Sequence, residues 1–284
     1  CLLSLGGVGA QPLAVIDDCT RHRFPPLSGF VGDLRPYLNE LLGTLRRPNA
    51  IPRRLVVNGG RSMGIGPPPY EPFTLARGDR FHLTSWGGRG KTTILRALAL
   101  QALKADERVP VLLDARLSGH TVFEFVARGL AYIVPSLGSA SAAQSWIAGA
   151  RTLLLIDNWD RYPEYDWPAF EKSLQSLSRA DCVVVVAGQA HRRAPAGIPW
   201  VQLQLDRYDT AERDEVVRRF LIDSGHRAGV VSGFIQSVPP GIADLLFEPV
   251  LLARYLELRS HALTQHPGAT SATTPGPGPY GSGT

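Results

Sequence analysis

Lysine is almost missing from this chain: of its 30 basic residues only Lys91, Lys104 and Lys172 are lysines, and the rest are arginines. The arginines stand in ones and twos, with no basic block and no interleaved aromatics, so a net charge of +5 gives little support to a nucleic-acid partner. Cysteine is equally scarce. Cys1, Cys19 and Cys182 form an odd set without metal-ligand spacing, which fits a reducing, cytoplasmic setting, and Cys182 opens an apolar run where a buried thiol sits comfortably. No uncharged apolar stretch reaches the roughly 20 residues needed to cross a bilayer, so no membrane span is expected. The opening CLLSLGGVGA is apolar but short and follows no positively charged segment or initiator Met, so it gives little support to a signal peptide, and the sequence reads as a piece of something longer.

What is present suffices for a folded core: 284 residues, 44% of them hydrophobic, with the Pro and Gly excess gathered toward the ends. A helical spacing of Leu34, Leu38, Leu41, Leu42 and Leu45, capped by Asp33 and closed by Pro48 and Pro52, marks a linker helix after a leader, together residues 1–50. Residues 59–79, rich in Gly, Pro and Arg, read as a loop. Strands are expected at 80–85, 109–115, 151–157 and 181–188, with helices at 92–104, 122–133 and 168–177 between them; near-continuous apolar runs such as RTLLLID mark strands buried on both faces. The alternating WVQLQLD at 200–206 suggests an edge strand. The fold class is therefore α/β, a doubly wound and mostly parallel sheet with helices on both faces, spanning residues 51–206. A small helical region at 207–264 follows, with Thr210 as a helix cap and an interruption at Pro249. The tail, residues 265–284, has almost nothing apolar to bury and is expected to be disordered.

Chemistry concentrates in Ser85-Trp86-Gly87-Gly88-Arg89-Gly90-Lys91-Thr92-Thr93, between an expected strand and an expected helix. Glycines let backbone amides wrap phosphate oxygens, a lysine meets the β and γ charges, and a hydroxyl holds magnesium; Gly87, Gly88, Gly90, Lys91 and Thr92 supply all three. The helix N-terminus adds amides and the positive end of its dipole. This is a phosphate-binding loop, or Walker A motif, for ATP or ADP with Mg2+, lined by Trp86, Gly87, Gly88, Arg89, Gly90, Lys91, Thr92 and Thr93. One position departs: the pattern wants Gly at 85, and Ser85 predicts a steric cost at the loop's first corner. LLLIDNWD at 153–160 is the second signature, a Walker B strand beside the loop's own. It places Asp157 with Thr92 as metal ligands, and Asp160 with Lys91 as candidate catalytic residues, Asp160 near the attacking water. A helix cap or solvated turn explains Asp160 equally well.

From roughly Pro52 to Leu258 the order of these motifs resembles the NACHT-type NTPases of the STAND class, a signalling branch related to AAA+ ATPases. WGGRGKTTILRAL looks like the family P-loop, LLLIDNWDR like its extended Walker B, VVVVAGQAHRR falls at the sensor 1 strand, and FEPVLLARYLEL looks like the helix start that carries the nucleotide-sensing proline. The resemblance implies that Pro249 reports ADP against ATP, that ATP opens the protein toward self-association, and that effector and sensor domains lie outside the sequence given. It implies slow or absent hydrolysis too, because Arg161 stands where the family has Glu, and Ala187-Gly188-Gln189 replaces the usual sensor residues, with Arg192 and Arg193 displaced. Two readings stay open: a slow signalling ATPase, and a pseudo-ATPase scaffold that binds without turnover. The NB-ARC branch is the nearest rival family, and an AAA+ ATPase working on DNA ranks last, since no basic winged-helix module follows Leu258.

Overall fold

Three apolar runs, VPVLLD, TLLLID and CVVVVAGQ, set up the architecture. Every residue of TLLLID and the first seven of CVVVVAGQ are buried, as strands covered on both faces require. The computed structural model describes residues 37, 40–41, 53–65, 71–72, 74–105, 108–117, 119–163, 166–177, 180–225 and 231–265. The expected leader and tail lie outside the described residues, as does most of the expected linker helix, of which Tyr37, Glu40 and Leu41 are helical.

Eight strands are described: β1 (Arg53–Val57), β2 (Arg61–Ile65), β3 (Glu71–Pro72), β4 (Arg80–Ser85), β5 (Val109–Asp114), β6 (Thr152–Asp157), β7 (Cys182–Gln189) and β8 (Val201–Gln204). They form one sheet in the order β3-β2-β1-β8-β4-β7-β6-β5. From β8 to β5 all neighbours are parallel. Helices α1 (Lys91–Ala105), α2 (Val122–Leu130), α3 (Ala140–Gly149) and α4 (Trp167–Ser176) make the crossovers. The chain runs from β4 out to the far strand β5, then steps back through β6 to β7. Right-handed crossovers in opposite directions place α1 on one face and α2 to α4 on the other, so the sheet is doubly wound.

Two expectations give way here. The glycine-rich stretch after residue 58 is not all loop: β1 and β2 pair antiparallel across a turn in which Asn58 (φ 46°) and Gly59 (φ 76°) are left-handed, a conformation these two residue types tolerate. Asn58 locks this hairpin onto β8, its amide donating to the Gln202 carbonyl at 2.9 Å and its side-chain oxygen accepting from the Gln202 amide at 3.0 Å. Consequently β8 is no edge strand; it lies between β1 and β4. Its alternation, Leu203 buried between exposed Gln202 and Gln204, reports one open face instead of one open side.

The edge on the parallel side of the sheet is β5, where Tyr37 closes the open side. Its hydroxyl donates to the Pro110 carbonyl and accepts from the Leu112 amide, each at 3.0 Å. Burial pushes this phenol's pKa well above its usual value, so it stays protonated and able to donate.

The chain divides into two units, Cys1–Tyr208 and Asp209–Thr284. In the second, α5 (Thr210–Asp223), α6 (Val231–Gln236), α7 (Pro240–Ala243) and α8 (Pro249–Gln265) are helical. The cap of α5 is Asp209, not Thr210: its carboxylate accepts from the Glu212 amide at 2.8 Å, and the Glu212 carboxylate accepts from the Asp209 amide at 2.9 Å. The interruption expected at Pro249 is a new helix start, where a proline's missing N–H costs nothing.

Candidate phosphate and metal site

Strand β4 ends at Ser85, and the next five residues turn into α1. Gly88 (φ 77°) and Gly90 (φ 95°) are left-handed, so any side chain there would be strained. Ser85 is not: it is the last residue of the extended strand, and the steric cost expected at this corner does not arise. Its hydroxyl donates to the Trp86 carbonyl at 3.0 Å and accepts from Lys91 Nζ at 3.2 Å. A serine here therefore adds an acceptor for the lysine where glycine would add none.

Lys91 opens α1, and its ammonium donates to the carbonyls of Ser85 (3.1 Å) and Trp86 (3.2 Å) as well. Desolvation lowers its pKa, with Arg89 adding to the effect, while the carboxylates of Asp160 and then Asp157 oppose it. One residue later the Thr92 hydroxyl donates to Asp157 Oδ2 at 2.5 Å. Asp157 is not on the strand next to β4, as the sequence suggested, because β7 intervenes; α1 crossing over the sheet brings Thr92 to it.

Lys91, Thr92, Asp157 and Asp160 thus converge at the C-terminal ends of parallel strands, beside the point where the chain's winding reverses between β4 and β7. The remaining loop residues are arranged around them: Trp86 is 62% exposed, Gly87 and Gly88 are exposed, Thr93 lies on the first turn of α1, and Arg89 faces Asp206 with Nη1 3.7 Å from Oδ1. Pro249 belongs to the second unit, where it begins α8.

Asp157 Oδ1 accepts from the Asn158 amide at 2.8 Å, and Asn158 is itself left-handed at φ 56°. This one residue turns the chain into a short 3₁₀ turn, Trp159–Arg161, that carries Asp160. Gly188 of β7 packs against this turn: a Cβ there would lie 3.5 Å from the Asp160 amide and 3.7 Å from its Oδ1, in ordinary contact. Arg161 Nε is 3.8 Å from Asp160 Oδ2 and its side chain is mostly exposed. The 3₁₀ turn is fixed from behind by Trp159, which stacks on Tyr162 (4.9 Å) and on Trp167 (5.7 Å).

Sequence reasoning gave no site role to three residues that belong to this neighbourhood. Gln189 ends β7 in register with Ser85, and its Nε2 lies 3.8 Å from where a side chain on Gly87 would begin. Asp114, at the end of β5, pairs in register with Asp157 and accepts from Asn158 Nδ2 at 3.1 Å. Arg116 holds Asp114 through Nε at 2.9 Å and Nη2 at 2.5 Å, and its hydrogen bonds outweigh the burial that alone would raise the Asp114 pKa, leaving it low. An acid ending each of two neighbouring apolar runs was the available signal for Asp114. By contrast, Arg192 turns away to the Tyr162 carbonyl (3.0 Å) and the Trp167 ring, and the Arg193 carbonyl accepts from Trp159 Nε1 (3.1 Å).

The donor set fits a hard cation that keeps most of its own shell. Among the described residues no group of three or more acidic, His or Cys side chains could cage a metal, while one hydroxyl and one carboxylate stand in contact. That is the partial shell which magnesium completes with phosphate and water oxygens. No described helix is long and apolar enough to cross a membrane.

No family model matches the chain, and no curated protein matches it. Among solved structures, a DNA replication initiation factor is similar at a TM-score of 0.44 and 16% identity, covering 66% of this chain and 55% of that one. AMPPCP-bound DnaA from Aquifex aeolicus is similar at 0.43 and 15%, covering 67% and 57%. A Thermotoga maritima RuvB variant is similar at 0.43 and 17%, covering 66% and 56%. The chain spans a little over half the length of these structures, and at such scores the likeness transfers nothing about function. The sheet order, with the glycine loop after its central strand and Asp157 two strands away, is by itself that of a P-loop NTPase fold.

Proposed function

We propose that this chain is the nucleotide-binding part of a STAND- or NACHT-type switch, taking ATP or ADP with Mg2+ and hydrolysing ATP slowly. The observation that carries the reading is the convergence of Lys91 and Thr92, at the start of α1, with Asp157, at the end of β6, and Lys91 donating to the loop's own carbonyls where phosphate oxygens would replace them. In this reading the amides of residues 87–93 and the Lys91 ammonium bind the β and γ phosphates. Thr92 and Asp157 would hold magnesium, which supplies charge neutralisation on the phosphates when bound. Asp160 orients or deprotonates water, and Pro249 distinguishes ADP from ATP. Opening on ATP leads to self-association and to action on effector and sensor domains outside this sequence, in the cytoplasm.

One observation favours a second reading, a pseudo-ATPase that binds without turnover. Arg161 sits 3.8 Å from the Asp160 carboxylate, at the position where the resembled family has Glu, and a cation there cannot act as the base.

Titration with a fluorescent ATP analogue and Mg2+, with phosphate release followed in the same samples, separates the two. Saturable binding lost in Lys91→Ala supports the site. Phosphate release abolished by Asp160→Ala supports the ATPase, whereas binding with no release supports the scaffold. A wild-type chain that binds nothing sinks both.

A further inference from the structure

The segment that follows β8 carries an arrangement the nucleotide reading does not use. Asp206 stands at its centre. Its carbonyl accepts from Arg53 Nη2 at 2.5 Å, and its Oδ1 accepts from Gln204 Nε2 at 2.7 Å. The same Oδ1 faces Arg89 Nη1 across 3.7 Å, a charge contact longer than a hydrogen bond. Arg53, itself 4% exposed, lies over the Tyr208 ring with Cζ 4.3 Å from its centroid. Two residues past Asp206 the first unit ends, at Tyr208. The middle of the phosphate loop and the last residues of the first unit are thus joined through one carboxylate.

The strengths of these contacts are unequal in a useful way. Arg53 and Gln204 hold Asp206 by hydrogen bonds, but Arg89 meets it by charge alone, with the carboxylate side chain 36% exposed. A partly exposed pair of this kind is weak. A polyphosphate carrying several charges, bound in the loop where Arg89 sits, outcompetes a single carboxylate for that guanidinium.

We propose that Asp206 is a positioning residue for the phosphate loop: it holds Arg89 when no ligand is bound, yields it to a bound polyphosphate, and so reports occupancy to residues 205–208. This rests on the reading of the loop as a polyphosphate site. Nothing in the Walker motifs names Asp206 or Arg53, and Arg53 comes from the hairpin strand β1.

Amide hydrogen exchange across residues 204–209, with and without Mg-ATP analogue, reads the proposal in the full chain. In wild type, ligand speeds exchange there about two- to fivefold, the span expected for losing a partly exposed pair. Asp206→Asn keeps an oxygen for Gln204 but loses the charge: exchange is already fast, ligand no longer changes it, and the analogue binds about two- to fivefold tighter. Asp206→Glu restores the wild-type response, which a merely structural role would not predict. Arg89→Gln breaks the pair from the other side and speeds exchange without ligand. Wild-type exchange that ignores bound ligand, or an Asp206→Asn variant that behaves as wild type, overturns the proposal. Should wild type bind no nucleotide, the nucleotide reading falls by itself. Arg89→Gln and added inorganic triphosphate then decide the tether, and unchanged exchange in both overturns it.

Discussion

The two ends of the parallel sheet use charge in opposite ways. At the N-terminal ends, Arg108 donates to the Asp181 carboxylate at 2.6 Å and to its carbonyl at 3.1 Å, Arg151 approaches the same carboxylate at 3.6 Å, and Arg80 donates to the carbonyls of Cys182 (2.7 Å) and Asp79 (2.9 Å). Guanidiniums there are fixed to the chain itself. At the C-terminal ends the partners are exchangeable: Lys91 leans on loop carbonyls and the Thr92 hydroxyl on Asp157. The same strands therefore carry structural charge at one end and charge kept for a ligand at the other. The difference lies in whether a phosphate or a metal could replace the partner without unfolding anything.

The largest expected effect tests the ligand end. Lys91→Ala should weaken Mg-ATP analogue binding about 10- to 100-fold, the range for a hydrogen bond to a charged group, and leave the denaturant midpoint near wild type. A stability loss as large as the binding loss would erase the contrast between the ends. Asp157→Ala sharpens it further: wild type should lose about tenfold in affinity when Mg2+ is chelated, and the variant should not respond to chelation. The opposite end predicts the opposite pattern. Arg80→Ala, which removes the charged donor shared by the Asp79, Cys182 and Leu177 carbonyls, should cost about 1–3 kcal/mol in urea unfolding and leave the analogue's Kd within about twofold.

The smallest effect comes from the strand that joins both ends. His82, in β4, is 2% exposed, its Nδ1 is 2.9 Å from Gln202 Oε1, and burial lowers its pKa below the ordinary histidine value. The unfolded chain therefore takes up a proton at higher pH than the folded one. Stability is full above about pH 6.5 and falls as pH drops through that value, by at most about 1.4 kcal/mol per pH unit. His82→Gln should flatten the slope of unfolding free energy between about pH 7 and pH 5. An unchanged slope would assign the acid sensitivity to other groups.

What the sequence made legible was whatever a short window contains. Strands β5 to β7 were readable because each is a single apolar run, and β4 with the glycine loop because the loop's letters and its flanking strand and helix are contiguous. The hairpin was not readable: RSMGI contains two residues of loop composition, and the hairpin's dock, Asn58 against Gln202, joins positions far apart in the chain. The middle place of β8 was hidden for the same reason. Within the site, Lys91 and Thr92 follow from spacing, but Gln189 enters through its register with Ser85, a pairing across the sheet. Asn158 gave no sign of its left-handed turn, because asparagine is common in many settings and only its φ distinguishes this one. Ser85 was misjudged by analogy with glycine, because the letter pattern does not say that the position is still extended strand.

Tyr37 has a bearing on how the protein can be handled. One phenol occupies both outward-facing backbone groups at the middle of β5, the Pro110 carbonyl and the Leu112 amide. A shortened version starting at residue 51 would bare that ladder, and an uncovered strand edge is a template on which another chain can add itself. Such a version should precipitate or form higher-order species on concentration, while one that keeps residue 37 stays dispersed. A single hydroxyl far from the phosphate loop would then set where the protein can be cut for expression.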